Sequence, residues 1–236
     1  MTFTIVARDP KTGQLGIALT TSPMAVGGRC PNIRSNMAAV STQAATNPAL
    51  GPLALELLGM GFTPQKVLQE LAGADDQYAW RQIGIVDREG RSAVHTGIQC
   101  KGHADAITGE GYLVMGNYLA SAEVVPSMDL AWRNSEGEPL ENRMMAALVA
   151  GRDAGGDIGG HRSSCMLVHD LGPHPRTDLR IDFAPKREGA PDAVDSLKDL
   201  LQHYQPVSEY YQTLPRNPTL PNWMKWLEER GTPHRD

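Results

Sequence analysis

Basic runs are missing from this sequence. Its 22 lysines and arginines are outnumbered by 27 aspartates and glutamates, and the formal net charge is −5. A dedicated nucleic-acid binder would be basic, with its cations gathered on one face, so nucleic acid is not an expected partner. Long apolar runs are missing as well. No window reaches the ~18 uninterrupted apolar residues of a membrane-spanning helix, and no membrane partner is expected. Cysteines are few: Cys30, Cys100 and Cys165. Three thiols without regular spacing make neither a disulfide framework nor a zinc pattern, and they fit a reducing compartment. The opening MTFTIVARDP lacks the basic start, apolar stretch and small-residue cleavage site of a secretory signal. These absences predict a cytoplasmic protein. Aromatics reach only 6%, so small aliphatic side chains must fill much of the core.

What is present reads as mixed α and β. Phe3, Ile5 and Ala7 alternate with Thr2, Thr4 and Val6, a period-two strand pattern. Asp9-Pro10-Lys11-Thr12-Gly13 is turn chemistry, and Leu15–Thr20 reads as the returning strand. A loop is expected over Thr21–Arg34 and a third strand over Met37–Gln43. Helices are expected at Leu53–Met60 and Pro64–Ala72, the second capped by Thr63. A second hairpin spans Arg81–Val86 and Ser92–Thr96, and Gly109–Gly116 reads as a short strand region. Val124–Asn134 and Leu140–Ala150 have helical spacing. Gly155–Gly160 is a glycine-rich loop, Ser163–His169 and Asp178–Phe183 form a last strand pair, and Asp192–Gln205 is a helix. Strands grouped before helices predict sheets covered by helices rather than a doubly wound parallel sheet. One main domain is expected over 1–205. From Pro206 the prolines multiply, which predicts an extended tail over 206–236, packed on the domain or on a partner subunit.

The chemistry starts at the second residue. Threonine is small enough for the cytoplasmic aminopeptidase to remove Met1. Thr2 would then carry a free α-amine, which can act as general base for its own hydroxyl. Such an amine titrates near ~7.7–8, so a usable fraction is neutral. The plain alternative is that Thr2 merely starts a strand.

Several blocks resemble one family in the same order from Met1 to about Gln205. They are MTFTIVARDPKTGQLGIAL, SPMAVGGRCP, STQAATNPALGPLALELL, RQIGIVDREG, HTG, GEGYLVMGN and AGGD. The family is DUF1028, which is similar to the N-terminal-nucleophile hydrolases. The resemblance implies an α+β fold, a four-layer αββα sandwich with the nucleophile as the first residue of a strand. It implies Thr2 as that nucleophile, acting on a small amide without cofactor. A proteasome-type site would also use a lysine beyond the first hairpin, near Ser22. No lysine lies between Lys11 and Lys66 here.

Other residues could complete such a site. Thr42, Gln43 and Asn47 lie where a strand meets a helix and could donate to an oxyanion, or cap the helix and close the turn. Asn117 is a further donor. His95 could shuttle protons or serve as a hydrogen-bonded structural histidine. Arg29 could grip a substrate carboxylate, Ser22 lies near it, and Glu110 could receive a substrate amine or pair with an arginine. Cys30, beside Arg29, offers a rival thiol nucleophile. His103, Asp105, His169 and Asp170 supply ligand atoms but match no helix-borne zinc motif, so no metal is expected. A catalytically inactive ligand-binding or assembly protein is the competing class. The tail's Trp223 and Trp226 predict a homodimer or larger homo-oligomer.

Overall fold

A computed structural model describes residues 2–187 and 189–232. The removal of Met1 therefore concerns a residue outside the described ones. Thr2–Arg8 (β1) and Leu15–Thr21 (β2) form the expected hairpin. Asp9 closes its turn: one carboxylate oxygen accepts from Lys11 N, the other from Thr12 Oγ1. Pro31–Arg34 (β3) and Ala38–Ala44 (β4) follow, then helices Leu50–Gly59 (α1) and Pro64–Ala74 (α2). Thr63 caps α2 by accepting from Lys66 N at 3.3 Å. Next come Arg81–Asp87 (β5), Ser92–Thr96 (β6), His103–Gly109 (β7) and Tyr112–Leu119 (β8). Val124–Asn134 (α3), Leu140–Asp153 (α4), Ser163–His169 (β9), Pro175–Ile181 (β10), Ala193–Thr213 (α5) and Trp223–Glu228 (α6) complete the chain.

The strands form two antiparallel sheets. One runs β10-β9-β2-β1-β8-β7, the other β3-β4-β5-β6. Side chains alternate across a strand, and the alternation sorts the interior into three apolar groups. Phe3, Ile5, Ala18 and Val114 meet α3, α4 and α5. Val40, Ile83 and Ile85 meet α1 and α2. Val6, Ile17, Leu113 and Met115 of the larger sheet meet Ala39 and Val86 of the smaller. Gly84 lets the last two faces approach: a Cβ there would lie 2.7 Å from Leu113 Cδ1.

Five points need correction. The loop expected over Thr21–Arg34 contains β3, and β7 was not anticipated at all. Both are edge strands. An edge strand is half covered, so polar residues such as Asn32, His103 and Asp105 weaken its apolar alternation. The strand region expected over Gly109–Gly116 begins with the turn between β7 and β8. The last strand starts at Pro175 rather than Asp178. The expected extended tail is instead helical. Helix α5 runs on through Pro206 to Thr213, and α6 folds back on it. Trp226, 3% exposed, sits edge-on to Tyr210 of α5 at 5.8 Å. Its surface is therefore this chain's own helix, and burial of two aromatic faces outweighs the hydrogen bond that a proline removes.

Candidate active site

Thr2 and Thr4 share a face of β1 with Val6, so both point between the sheets. Thr2 pairs with Asn117 across the β1–β8 ladder and is 5% exposed. Its hydroxyl donates to Thr21 Oγ1 at 3.1 Å. Thr4 Oγ1 donates to Gln43 Oε1 at 2.5 Å. Gln43 Nε2 donates to Gln82 Oε1 at 2.7 Å, and Asn117 Nδ2 to the same oxygen at 3.0 Å. Both amide nitrogens also lie 3.5 Å from the Thr2 carbonyl oxygen. Gln82 in turn donates to Thr96 Oγ1 at 3.0 Å and to the Gly116 carbonyl at 2.9 Å. Three buried amides thus stitch the two sheets together around the first strand residue. These amide donors are engaged with Gln82 Oε1 and lie 3.5 Å from the Thr2 carbonyl.

A carboxylate stands on the other side. Asp157, 3% exposed, accepts from Ser22 N at 2.9 Å and Gly159 N at 2.7 Å. Burial pushes its carboxyl above the usual carboxylate range. Ser22 directly follows Thr21, the partner of Thr2. The glycine-rich Gly155–Gly160 loop therefore does more than end α4: it carries a buried acid to the strand end. Beside Asn117 opens a cleft of about 370 Å³, lined by Ala44, Trp80, Gln99, Cys100, Lys101 and Tyr118 among others. Ala44 and Tyr118 hold left-handed backbone, with φ of 72° and 56°. Such strain in non-glycine residues gathers at functional sites.

A model described as a family of unknown function, DUF1028, matches residues 2–189. The chain belongs to the DUF1028 family. A DUF1028 protein, SPO2555 from Silicibacter pomeroyi, has a similar crystal structure. The two chains are 27% identical over 95% of this chain and 92% of that one, with a TM-score of 0.77. Anbu (ancestral beta-subunit) from Yersinia bercovieri is 13% identical over 93% of this chain and 98% of that one, with a TM-score of 0.43. No curated protein matches the chain.

Within this DUF1028 chain the other candidates scatter. Thr42 lies on the opposite face of β4 from Gln43, toward the helices, where its hydroxyl is buried without a hydrogen-bond partner among the described residues. His95 also faces that side. It stacks on Tyr78 at 3.8 Å, its Nε2 meets the Tyr78 carbonyl at 3.1 Å, and burial holds it below the ordinary imidazole value. Asn47 caps the turn into α1 through Ala49 N and donates to Asp75 at 3.3 Å. Glu110 is exposed in the β7–β8 turn, beyond Tyr112. Thr2 pairs with Asn117 at the other end of β8, and seven residues at ~3.4 Å put Glu110 roughly 24 Å away along the strand. Arg29 follows a short 3-10 turn beside Cys30 and does not line the cleft. Cys30 is 2% exposed, and burial pushes its thiol up to about 11. A thiol held protonated is a poor nucleophile.

Sequence reasoning missed Gln82, Asp157 and Lys101. The first had a signal: Gln82, Gly84 and Val86 fall in phase on β5, so a glutamine was bound to face the other sheet. Nothing in the sequence linked Asp157 or Lys101 to Thr2. Among the described residues, no group of three His, Cys, Asp or Glu is placed to hold a metal ion, and no helix is long and apolar enough to cross a membrane.

Proposed function

We propose that this DUF1028 protein is an amidohydrolase that cleaves a linear amide C–N bond of a small substrate with Thr2 as nucleophile. The observation that carries this reading is the setting of Thr2. It starts a strand on the face between two sheets, in a cage of amides, and its strand partner Asn117 lines a cleft of about 370 Å³. The three apolar groups accord with a four-layer αββα arrangement of the N-terminal-nucleophile type. In the proposed reaction Met1 is removed. Thr2 Oγ1 attacks the substrate carbonyl carbon while the Thr2 α-amine takes the hydroxyl proton. The C–N bond breaks, and that proton passes to the leaving amine. Water then hydrolyses the resulting ester, frees the acid and restores the hydroxyl. Gln43 and Asn117 act as positioning residues, fixing the strand that presents Thr2. Arg29, Glu110 and Asn47 have no part in the chemistry. We further propose a cytoplasmic, cofactor-free homo-oligomer.

Intact mass of protein with native ends, followed by turnover on a panel of small amides, tests the proposal. The expected result is loss of Met1 and a fall in turnover of more than about a thousandfold in Thr2→Ala. Quantitative retention of Met1, or a Thr2→Ala protein as active as wild type, would overturn it.

A further inference from the structure

The cleft beside Asn117 has a charge character that the Thr2 chemistry does not require. Lys101 is the one ionisable cation among its lining residues, and no aspartate or glutamate lines it. Lys101 makes no ion pair among the described residues. Its backbone is nevertheless fixed. The Lys101 carbonyl accepts from Tyr118 N at 2.8 Å, and the preceding Gln99 N donates to the Ala79 carbonyl at 2.9 Å. Gly102 crosses Tyr118 so closely that a Cβ would lie 2.9 Å from the Tyr118 Cα, and its φ of +66° suits glycine. Trp80 lines the same cleft and is 38% exposed, an aromatic surface open to a ligand. In a chain of net charge −5, an exposed cation without an ion pair among the described residues, on a pinned loop that lines the same cleft as Trp80, is a selective feature.

We infer that this cleft is the substrate pocket of the Thr2 site and that it selects amides bearing a carboxylate, which the Lys101 ammonium receives. The apolar part of the substrate lies along Trp80 and Tyr118, and Asn117 marks the end nearest Thr2. The assignment rests on the proposed hydrolase for its chemistry, but the binding step can be measured alone. Cleft volume and lining suit a small molecule: ligand pockets begin near ~300 Å³ and combine apolar walls with few polar groups.

Calorimetric titration of the full-length Thr2→Ala protein separates binding from turnover. The probes are N-acetyl-L-phenylalanine and N-acetylglycine, each against its uncharged N-methylamide. The acids are expected to bind roughly tenfold more tightly than the neutral forms, as a charge-assisted contact implies. Lys101→Met should erase that preference, and Lys101→Arg should keep it. Equal binding of acid and neutral forms would overturn the inference, as would a preference that survives Lys101→Met. Absence of binding by either acid up to roughly 10 mM would overturn it too. Lys101-dependent binding without cleavage by wild-type protein would keep the pocket and remove the hydrolase. Thr2-dependent cleavage indifferent to the carboxylate and to Lys101 would do the reverse.

Discussion

The space between the two sheets has two ends built by the same strands and filled in opposite ways. Along β1 the inward residues run Thr2, Thr4, Val6. Along β4 they run Gln43, Ser41, Ala39, along β5 Gln82, Gly84, Val86, and along β8 Asn117, Met115, Leu113. Each strand keeps its period of two and runs from a polar end to an apolar end, with β8 turning apolar one step earlier than β1, since Thr4 already pairs with Met115. At the apolar end, Val6, Ile17, Leu113 and Val86 exclude water and need no particular partner. At the polar end each buried amide needs a named partner, because an unmet donor or acceptor costs more than a bond gains. The difference teaches where function can sit. An apolar end tolerates repacking, whereas a cage of matched amides fixes one backbone, that of Thr2, in one place.

The contrast can be broken most sharply at Gln82, whose Oε1 accepts from both Gln43 and Asn117. Gln82→Met should cost about 2–5 kcal/mol, since two buried donors lose their acceptor. Ile17→Val at the apolar end should cost about 0.5–1.5 kcal/mol. Urea unfolding of both variants checks the pair. Equal losses would mean that the amide cage does not hold the sheets.

A second test uses pH. The cage consists of amides and hydroxyls, so its contribution is flat from pH 7 to 5. His95, outside it, is held by burial below the ordinary imidazole value. The unfolded chain therefore binds that proton more readily than the folded one. Stability from the neutral ring is complete above the unfolded value of ~6.5 and is lost as pH falls through the folded value. Thermal midpoints should drop between pH 7 and 5, and His95→Phe, which keeps a ring against Tyr78, should flatten part of that drop. An unchanged slope would place His95 in contact with solvent.

The smallest effect is expected at Thr42. Its hydroxyl is buried on the helix-facing side without a hydrogen-bond partner among the described residues. Thr42→Val keeps the shape and should stabilise the protein by up to about 1 kcal/mol, with turnover unchanged. Loss of turnover would show that Thr42 reaches the site.

Much of the fold is legible in the sequence, for local reasons. Asp9 and Gly13 make the first turn, Thr63 and Pro64 start α2, and the alternation of β1 assigns Thr2 and Thr4 to one face and Phe3 and Ile5 to the other. Thr42 and Gln43, read together as donors, lie on opposite faces of β4. These features depend on neighbours within a few residues, which a sequence displays directly. The edge strands β3 and β7 escaped because half-covered strands lose the apolar contrast that marks a strand. Pro206 pointed to a break that α6 overrides, because Trp226 and Leu227 bury against α5 from 20 residues away.

By itself, then, the sequence determined the first turn, the cap of α2, the phase of β1 and the chemical nature of the second residue. The tertiary structure alone decided which strand ends converge. Register pairs Thr2 with Asn117, 115 residues later, and sheet stacking brings Gln43 and Gln82 against them. The same stacking leaves His95 and Glu110 elsewhere and sets Lys101 beside Asn117. Such neighbours are chosen by the burial of whole sheets, and no local pattern carries that information.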